Sequence, residues 1–367
     1  MAAPSVRIID TNFNLLGEID NYESLQFTRR FYRPGEFEMH IHLGKRHTDQ
    51  LLEDRVIYIN NQQHKSGIIR YRQIVEDDKG IETLIIRGPT LGGVLDQRVT
   101  VSDNYDRIIG PAETVMKHYA NNHLGNGTYA TGIYAKRQIP FFAIAEDQTR
   151  GKTTPWQSRF EPLDQVVQEI AEWCDIGWLV SLDFENKKWV FDVLAGRDLT
   201  TNQNVLPPVI FSNEFDNIQS QGYVDSSLQF KNVGYAGGQG EDEDRLIQMI
   251  GDAEGLARRE VFLDCSSAED ANELTSLGEQ ALAEQKRIRT YNGLILNTGS
   301  FEYEKDWDLG DIVTQQNKKW GLTMHSRITE IKEIYEPASK LEITLGDEIP
   351  TITEFVKKLR SDVKRSD

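Results

Sequence analysis

The chain has 367 residues, of which 27% are charged and 38% hydrophobic, and its formal net charge is −17. This length predicts more than one domain, because single hydrophobic cores stop growing at roughly 250–300 residues. The negative charge argues against stable binding to nucleic acid, whose phosphates are held by clustered Lys and Arg. An acidic surface would instead suit a conduit through which DNA slides without sticking.

The cysteine content and the hydropathy indicate in which cellular compartment the chain is made. Cys174 and Cys265 lie far apart without metal-ligand spacing, which excludes a disulfide framework. No apolar run reaches the roughly 20 residues of a membrane span. The first residues also lack the basic and then apolar layout of a secretion signal. We therefore expect no integral membrane segment and synthesis in a cytoplasm.

The first predicted elements are strands on either side of a tight turn. Pro34 presets its own φ and Gly35 can take a positive φ, so residues 33–36 predict a turn at the edge of a sheet. The residues after the turn alternate between apolar and polar with the period of a half-buried strand. We expect Phe37, Met39 and Ile41 to pack a core, and Glu38, His40 and His42 to face solvent or a neighbouring subunit.

Strand signals continue to about residue 103. Residues 56–59 and 67–71 predict a hairpin around Asn60-Asn61, a pair that tolerates left-handed φ. Residues 81–87 predict another strand after a turn at residues 77–80, and residues 90–95 predict a short helix. These elements would form a first β domain, residues 1–103, which residues 206–238 complete.

The hydrophobic period changes from 2 to 3.6 after residue 103. Pro111 stands where a helix begins, and Val115, Met116 and Tyr119 share one face. A second helix begins at Pro162, with apolar residues recurring from Leu163 to Cys174. A hairpin of residues 178–182 and 189–193 follows. Residues 104–205 therefore predict a small α/β domain inserted between β segments.

The glycine-rich residues 234–240, followed by four acids, predict a linker or a long exposed loop. Residues 239–367 would form a second β domain. Residues 266–269 read as a capping box that opens a helix over 266–288. Ile328, Ile331 and Ile334 predict a strand with a bulge, and an apolar stripe predicts a C-terminal helix over 351–363, before a basic tail.

The motifs of common catalytic and metal sites give no candidate. His40, His42 and His47 lack Cys or carboxylate partners at zinc spacing, and we expect His118 and His123 not to converge on one helix face. The glycine-rich stretch lacks the Gly-Lys-Ser/Thr end of a phosphate loop. No pair among the 58 acids can be singled out as a general acid and base. We therefore predict no catalytic, cofactor-binding or metal-binding residue and no enzymatic activity.

Four segments resemble the tail-associated (Tal-type) hub proteins of phage tails and related contractile-tail hubs. Residues 19–25 fit the pattern I-D-x-Y-x-S-L, and residues 30–38 fit R-x-Y-x-x-G-x-F-E. Residues 308–313 fit D-L-G-D-x-V. In mid-chain, a glycine-rich loop leads through Arg245 to Arg258-Arg259-Glu260 and Asp264. In this order the segments extend the resemblance over nearly the whole chain.

The resemblance implies a fold and a role. The fold would be mixed α+β and predominantly β, with two β-barrel-like tube domains, the inserted α/β domain and peripheral helices. The role would be that of a homotrimeric adaptor at the virion tail tip, which closes the tail tube and opens for DNA passage. Its partners would be the distal tail ring protein, the tape measure protein and receptor-binding or fibre proteins. No cofactor is implied.

Two other functions stay open at this point. A tail-associated hydrolase of peptidoglycan would use one or two of the many carboxylates. A carbohydrate-binding module would stack sugars on Trp156, Trp173, Trp178 or Trp189. The chain also lacks the long C-terminal fibre or lytic module of many Tal-type proteins, which argues against wall degradation and direct receptor binding by this polypeptide.

Overall fold

The structure is a computed structural model, and it describes residues 4–127, 129, 132–296, 299–336 and 339–347. The chain forms two compact units. Unit 1 comprises Met1–Gln221 and Asn292–Leu345, and unit 2 comprises Gly222–Tyr291 and Gly346–Asp367. Strands hold 43% of the residues and helices 18%, which confirms a mixed α+β and predominantly β fold. None of the sheets in the described ranges closes into a barrel. The three-domain division stays a prediction.

The elements are numbered along the chain. The strands before the first helix are β1 Val6–Ile9, β2 Leu15–Ile19, β3 Ser24–Arg30, β4 Glu36–His42, β5 Val56–Ile59, β6 Gln62–Ile68, β7 Tyr71–Glu76, β8 Glu82–Pro89 and β9 Asp106–Pro111. The middle of the chain holds α1 Ala112–His123, β10 Phe142–Ile144, β11 Thr153–Ser158, α2 Leu163–Cys174, β12 Gly177–Asp183, β13 Lys188–Leu194, β14 Asp198–Leu199 and β15 Ile210–Ser212.

The remaining elements complete unit 1 and build unit 2. They are β16 Ile218–Ser226, β17 Val233–Gly237, β18 Ile247–Ile250, β19 Glu260–Asp264, α3 Ala271–Ala283, β20 Ile288–Ile295, β21 Ile312–Asn317, β22 Leu322–Tyr335 and β23 Lys340–Gly346. The helix that the sequence predicts over 351–363 lies outside the described residues.

Two sheets of unit 1 enclose its first core. One is part of an 11-stranded sheet and contains the run β23-β22-β3-β4-β8-β7, and the other has the order β2-β1-β5-β6. Apolar side chains from both sheets are buried together, among them Ile8, Phe27, Ile57 and Leu84. Phe37, Met39 and Ile41 belong to this core, as their alternation predicts. The hydrophobic effect of this shared burial holds the two sheets together.

The turn before β4 differs from its prediction in two ways. β3 and β4 do flank it, but both are inner strands, because β3 also pairs with β22 and β4 with β8. Gly35 also lacks a positive φ. A Cβ at this position would lie 1.8 Å from the backbone oxygen of Thr28. The glycine is therefore required by the close approach of two backbones, and not by its own φ.

The structure confirms the two helices that the sequence predicts in unit 1. α1 and α2 begin after Pro111 and Pro162. Their apolar faces bury one core with the hairpin of β12 and β13. α2 ends earlier than predicted, because Asp175 takes a left-handed conformation, and Gly177 already belongs to β12. The predicted short helix near residue 91 is a 3₁₀ helix, Leu91–Gln97.

Unit 2 overturns the predicted linker. Most of the glycine-rich stretch forms β17, the central strand of the sheet β18-β17-β19. Its small residues allow α3 to pack closely, since a Cβ on Gly238 would lie 3.1 Å from Leu274, and one on Gly278 would lie 2.8 Å from the Cβ of Ala236. The glycines therefore make a helix–sheet contact. α3 also begins later than predicted, because Asp270 and not the predicted capping box caps it.

The bulge predicted among the late isoleucines is present. The second half of β22, residues 328–334, pairs with β23, and the register shifts between Ile328 and Glu330. The extra residue brings Ile328 and Ile331 to the same face of β22, and both are buried; Ile334 is buried on the opposite face.

Candidate functional site

Two of the sequence motifs meet in unit 1. Arg29, on β3, donates hydrogen bonds to Asp308 Oδ1 at 2.8 Å and to the hydroxyl of Tyr303 at 2.9 Å. Burial tends to lower the pKa of the Arg29 guanidinium, but Tyr303 and Asp308 outweigh it and raise that pKa. Arg29, the residue before the motif of residues 30–38, thus fastens the segment 303–311 to the sheet, across more than 270 residues of sequence.

A buried ionic network continues from this contact. Lys65 Nζ, on β6, lies 2.7 Å from Glu333 Oε1 and 3.0 Å from Glu304 Oε1, and both Lys65 and Glu333 are almost completely buried. His64 and Gln62 also bond to Glu304. Removing one partner of such a pair leaves an uncompensated charge and costs about 3–5 kcal/mol. The network therefore links β6, β22 and the segment 303–311.

The aromatic ring of Phe31 packs against the same segment, at Gly310. A Cβ on Gly310 or Gly177 would lie 2.3–2.4 Å from this ring, so neither position accepts a side chain without movement. The guanidinium of Arg327 lies 4.9 Å from the ring centroid, and it donates to Asp175 Oδ2 at 2.6 Å. We call this assembly, Arg29, Phe31, Lys65 and the segment 303–311, the motif junction.

A shallow pocket lies beside the motif junction. Its lining includes Arg29, Arg30, Arg33, His64, Gly35 and Trp178. Arg30 is committed to carboxylates, since it donates to Glu330 Oε2 and Glu36 Oε1 at 2.6 Å each. Arg29 is likewise paired with Asp308. The positive charge of these two arginines is therefore used within the fold, and the motif residues have a structural role.

The edge strand β7 carries the most exposed part of the long sheet of unit 1. All six of its residues are exposed, and Ile74 is 52% exposed. Tyr71 and Val75 are exposed as well. Within the described residues, β7 pairs only with β8 and ends the strand order. A strand with a free edge and apolar side chains presents a template for pairing with another chain.

The N-terminal histidines are held by their neighbours. His40 Nε2 lies 2.6 Å from Glu38 Oε1, and Glu38 also accepts from Arg87 at 2.5 Å. His42 Nδ1 accepts from the backbone N–H of Gly44. Among the side chains that the structure describes, no group of three or more His, Cys, Asp or Glu could hold a metal ion.

His118 and His123 converge, contrary to the expectation from their spacing. Their Nε2 atoms lie 2.8 Å and 3.3 Å from the two carboxylate oxygens of Asp106. Burial tends to raise the pKa of Asp106, but the neighbouring His118 and His123 lower it. Burial lowers the pKa of His123. The carboxylate comes from β9, outside the helix, and spacing along the helix could not reveal it.

The tryptophans do not form a sugar-stacking surface as a set. Trp178 and Trp189 are buried in the core of the helical part of unit 1. Trp173 is partly buried, its indole N–H donates to Thr154, and Lys152 Nζ lies 3.6 Å from its ring centroid. Cys174 and Cys265 are free and buried. No helix among the described residues is long and apolar enough to cross a membrane.

Comparisons with known proteins agree with this fold. A family model described as Siphovirus ReqiPepy6 Gp37-like protein matches residues 5–347. No curated protein matches the chain. The chain is similar to a solved tail protein from Neisseria meningitidis MC58, with 14% identity and a TM-score of 0.59 over 94% of this chain and 97% of that one.

Two prophage proteins are similar in the same way. The 43 kDa tail protein of prophage MuSo2 from Shewanella oneidensis has 12% identity and a TM-score of 0.60, over 94% of this chain and 98% of that one. The tail protein gp18 from Listeria monocytogenes EGD-e has 12% identity and a TM-score of 0.52, over 98% and 99%. At these identities the likeness shows a shared fold.

Proposed function

Because the chain belongs to the Siphovirus ReqiPepy6 Gp37-like family, a family of phage tail structural proteins, we propose that it is the trimeric hub of a tail tip. In this role it closes the tail tube and joins the distal tail ring to receptor-binding or fibre components. The tape measure protein would end against it. The hub would then open to let DNA pass.

The edge strand β7 is the observation that supports self-assembly most directly. A folded monomer blunts its sheet edges with charges, proline or a covering element. β7 carries two exposed charged residues, Arg72 and Glu76, but it also exposes Tyr71, Ile74 and Val75. We infer that β7 of one copy contacts the next copy. A contact between two different surfaces closes into a ring when the rotation fits, and three copies would make a threefold hub.

The charge of the chain fits the passage of DNA through such a ring. With 58 acidic and 41 basic side chains, the protein repels a polyanion on average. Several basic side chains are also paired with carboxylates, Arg29 and Lys65 in the motif junction and Arg30 in the pocket beside it. A lumen of this composition would let DNA slide without binding it.

The proposal assigns no catalysis to the chain. The charged groups of the motif junction pair with carboxylates and connect strands, so their role is structural. We expect the purified protein to leave peptidoglycan intact, as measured by turbidity clearing and by release of soluble fragments. If the protein clears a peptidoglycan suspension, and if substitution of one or two specific carboxylates abolishes this activity, the chain is a peptidoglycan hydrolase.

The substitution Ile74→Asp tests the role of β7. It places a charge at the proposed contact, and we expect self-association to weaken roughly tenfold or more, because a desolvated apolar anchor is lost. Sedimentation at several concentrations measures this. The matched control is Ile109→Asp, which adds the same charge to an exposed residue of β9 and should leave association unchanged.

The two variants also give the outcome that contradicts the proposal. If Ile74→Asp associates as strongly as the unsubstituted chain, β7 is not the contact between copies. If both variants lose association equally, the effect comes from added charge alone, and the assignment of the surface fails.

A further inference from the structure

The sheet of unit 2 has one face covered by α3 and one face open. Gly234, Ala236 and Leu263 lie on the covered side. On the open side, the register places Tyr235 between Met249 and Phe262. Met249 is 50% exposed and Phe262 is 53% exposed. These three side chains form an apolar row, which we call the open face.

Arginines frame the open face at both ends. The Arg258 guanidinium donates to the hydroxyl of Tyr235 at 2.9 Å and pairs with Glu260. The Arg245 guanidinium lies 5.2 Å from the ring centroid of Phe262. A Cβ on Gly237 would lie 2.6 Å from that ring, so the ring covers the glycine and the face is flat. Tyr, Phe, Met and Arg are the residues enriched where proteins bind partners.

Each arginine at the open face is paired with a carboxylate, Arg258 with Glu260 and Arg245 with Asp264, so the surplus acids of unit 2 favour a basic occupant. Residues 222–291 contain 14 Asp and Glu against 7 Lys and Arg. Four of these acids are consecutive, residues 241–244, and they are exposed just before β18. A partner that combines an apolar stripe with positive charge would match both properties of this surface.

The C-terminal residues of the chain have this chemistry. Residues 351–363 contain three Lys and Arg against two Asp and Glu, and residues 364–367 add two basic residues and one acidic residue. Ile352, Phe355, Val356 and Leu359 recur at the spacing of one helix face. The apolar stripe of such a segment can pack on an apolar surface, and its basic residues can pair with acids at the border of that surface.

The chain reaches residue 347 next to the sheet. Asp347 Oδ1 lies 2.7 Å from Lys286 Nζ, and the neighbouring Gln285 accepts a hydrogen bond from the backbone of Lys231. Lys231 leads directly into β17. Four Cα–Cα steps separate residues 347 and 351, and they span at most about 14 Å. Residue 351 can therefore lie near the end of the sheet where β17 begins, beside Arg258 and Glu260.

We propose that the open face of unit 2 is the docking surface for residues 351–363 of the same chain. The apolar stripe of the segment covers Met249, Tyr235 and Phe262, and its basic residues face the acidic border. The contact lies within one chain, so it is independent of the trimer, and either proposal can fail alone.

Trypsin cleavage after Lys357, Lys358 and Arg360 tests this docking in the full chain, followed by mass spectrometry. Cleavage in the unsubstituted protein should be slow and independent of protein concentration. In Phe262→Asp it should be roughly tenfold faster, because the docked state loses an aromatic contact. The control Leu228→Asp adds the same charge to an exposed residue of unit 2 and should cleave like the unsubstituted chain.

A second pair of variants tests the docking without any substitution in the sheet, so misfolding of the sheet cannot explain the result. Phe355→Asp disrupts the apolar stripe without touching the sheet, and it should speed hydrogen exchange in residues 247–250. Ser361→Asp adds the same charge on the opposite side of the predicted helix and should leave that exchange unchanged. Cleavage at the rate of a free peptide in the unsubstituted chain would overturn the proposal. Protection that disappears on dilution would overturn it too, because it would assign the segment to a second copy.

Discussion

At the scale of single residues, Gly35 shows how a position can be constrained by its partner strand. A side chain there must push away the backbone of Thr28. We expect Gly35→Ala to lower the free energy of unfolding by about 3 kcal/mol, because the β3–β4 ladder must separate locally. Urea unfolding measures the change.

The matched control for this substitution is Gly110→Ala. Gly110 lies on a strand of the same unit, and a Cβ there would make only ordinary contacts, at 3.7 Å or more. Its free energy of unfolding should stay within about 0.5 kcal/mol of the unsubstituted value. Equal effects of the two substitutions would contradict the role of the close approach.

Glu304 gives the motif junction a defined pH dependence. Burial tends to raise its pKa, but the hydrogen bonds from His64 and Lys65 and the charge of Lys65 lower it to about 2, from an ordinary value of 4.5. A carboxyl with a lowered pKa stabilises the folded state above its unfolded pKa. This contribution is lost as the pH falls from about 4.5 to about 2.

We therefore expect Glu304→Gln to lower stability by about 2 kcal/mol at neutral pH and to reduce the loss of stability on acidification. Urea midpoints between pH 2 and 7 measure both effects. The exposed Glu302 provides the control, since Glu302→Gln should keep the pH dependence of the unsubstituted chain. A Glu304→Gln curve parallel to that of the unsubstituted chain would exclude the network as its source.

The sequence predicts single residues well where the information is local. The alternation of Phe37, Met39 and Ile41 is enough to assign them to a core, and the spacing of the late isoleucines is enough to predict a bulge. The need for glycine at position 35 depends on the backbone of the partner strand, at Thr28. The convergence of His118 and His123 depends on Asp106, which lies on β9 and not on their helix. Local patterns carry no information on such approaches.

At the scale of elements, the N-terminal end of α3 provides a test. The side chain of Asp270 accepts from the backbone N–H groups of Asn272 and Glu273. We expect Asp270→Ala to destabilise unit 2 by about 1 kcal/mol. Hydrogen exchange along α3 measures this. Ser266→Ala removes a residue of the cap predicted from sequence and should have no effect, and a larger loss for Ser266→Ala would restore that prediction.

Helices with a clear apolar stripe were predictable, and the glycine-rich strand was not. α1 and α2 begin after prolines and carry apolar residues at helical spacing, so pattern and packing agree. In β17 the glycines indicate a loop locally, but they serve the close packing of α3 against the sheet. Tertiary contact therefore overrides a strong local signal there.

At the scale of the whole molecule, the family and the predominantly β fold were predictable because several short motifs occur in a fixed order. The structure explains part of that order, since the segments around Arg29 and Asp308 meet in one buried junction. No sequence pattern indicated which surface remains exposed. That depended on the position of β7 at the end of a sheet.

The mass of the native oligomer tests the central claim most directly. Native mass spectrometry of the purified chain, at concentrations comparable to those used for sedimentation, should give an assembly of three chains of 42.0 kDa each. The Ile74→Asp variant should give single chains under the same conditions. A single chain or a dimer for the unsubstituted protein would contradict the trimeric hub.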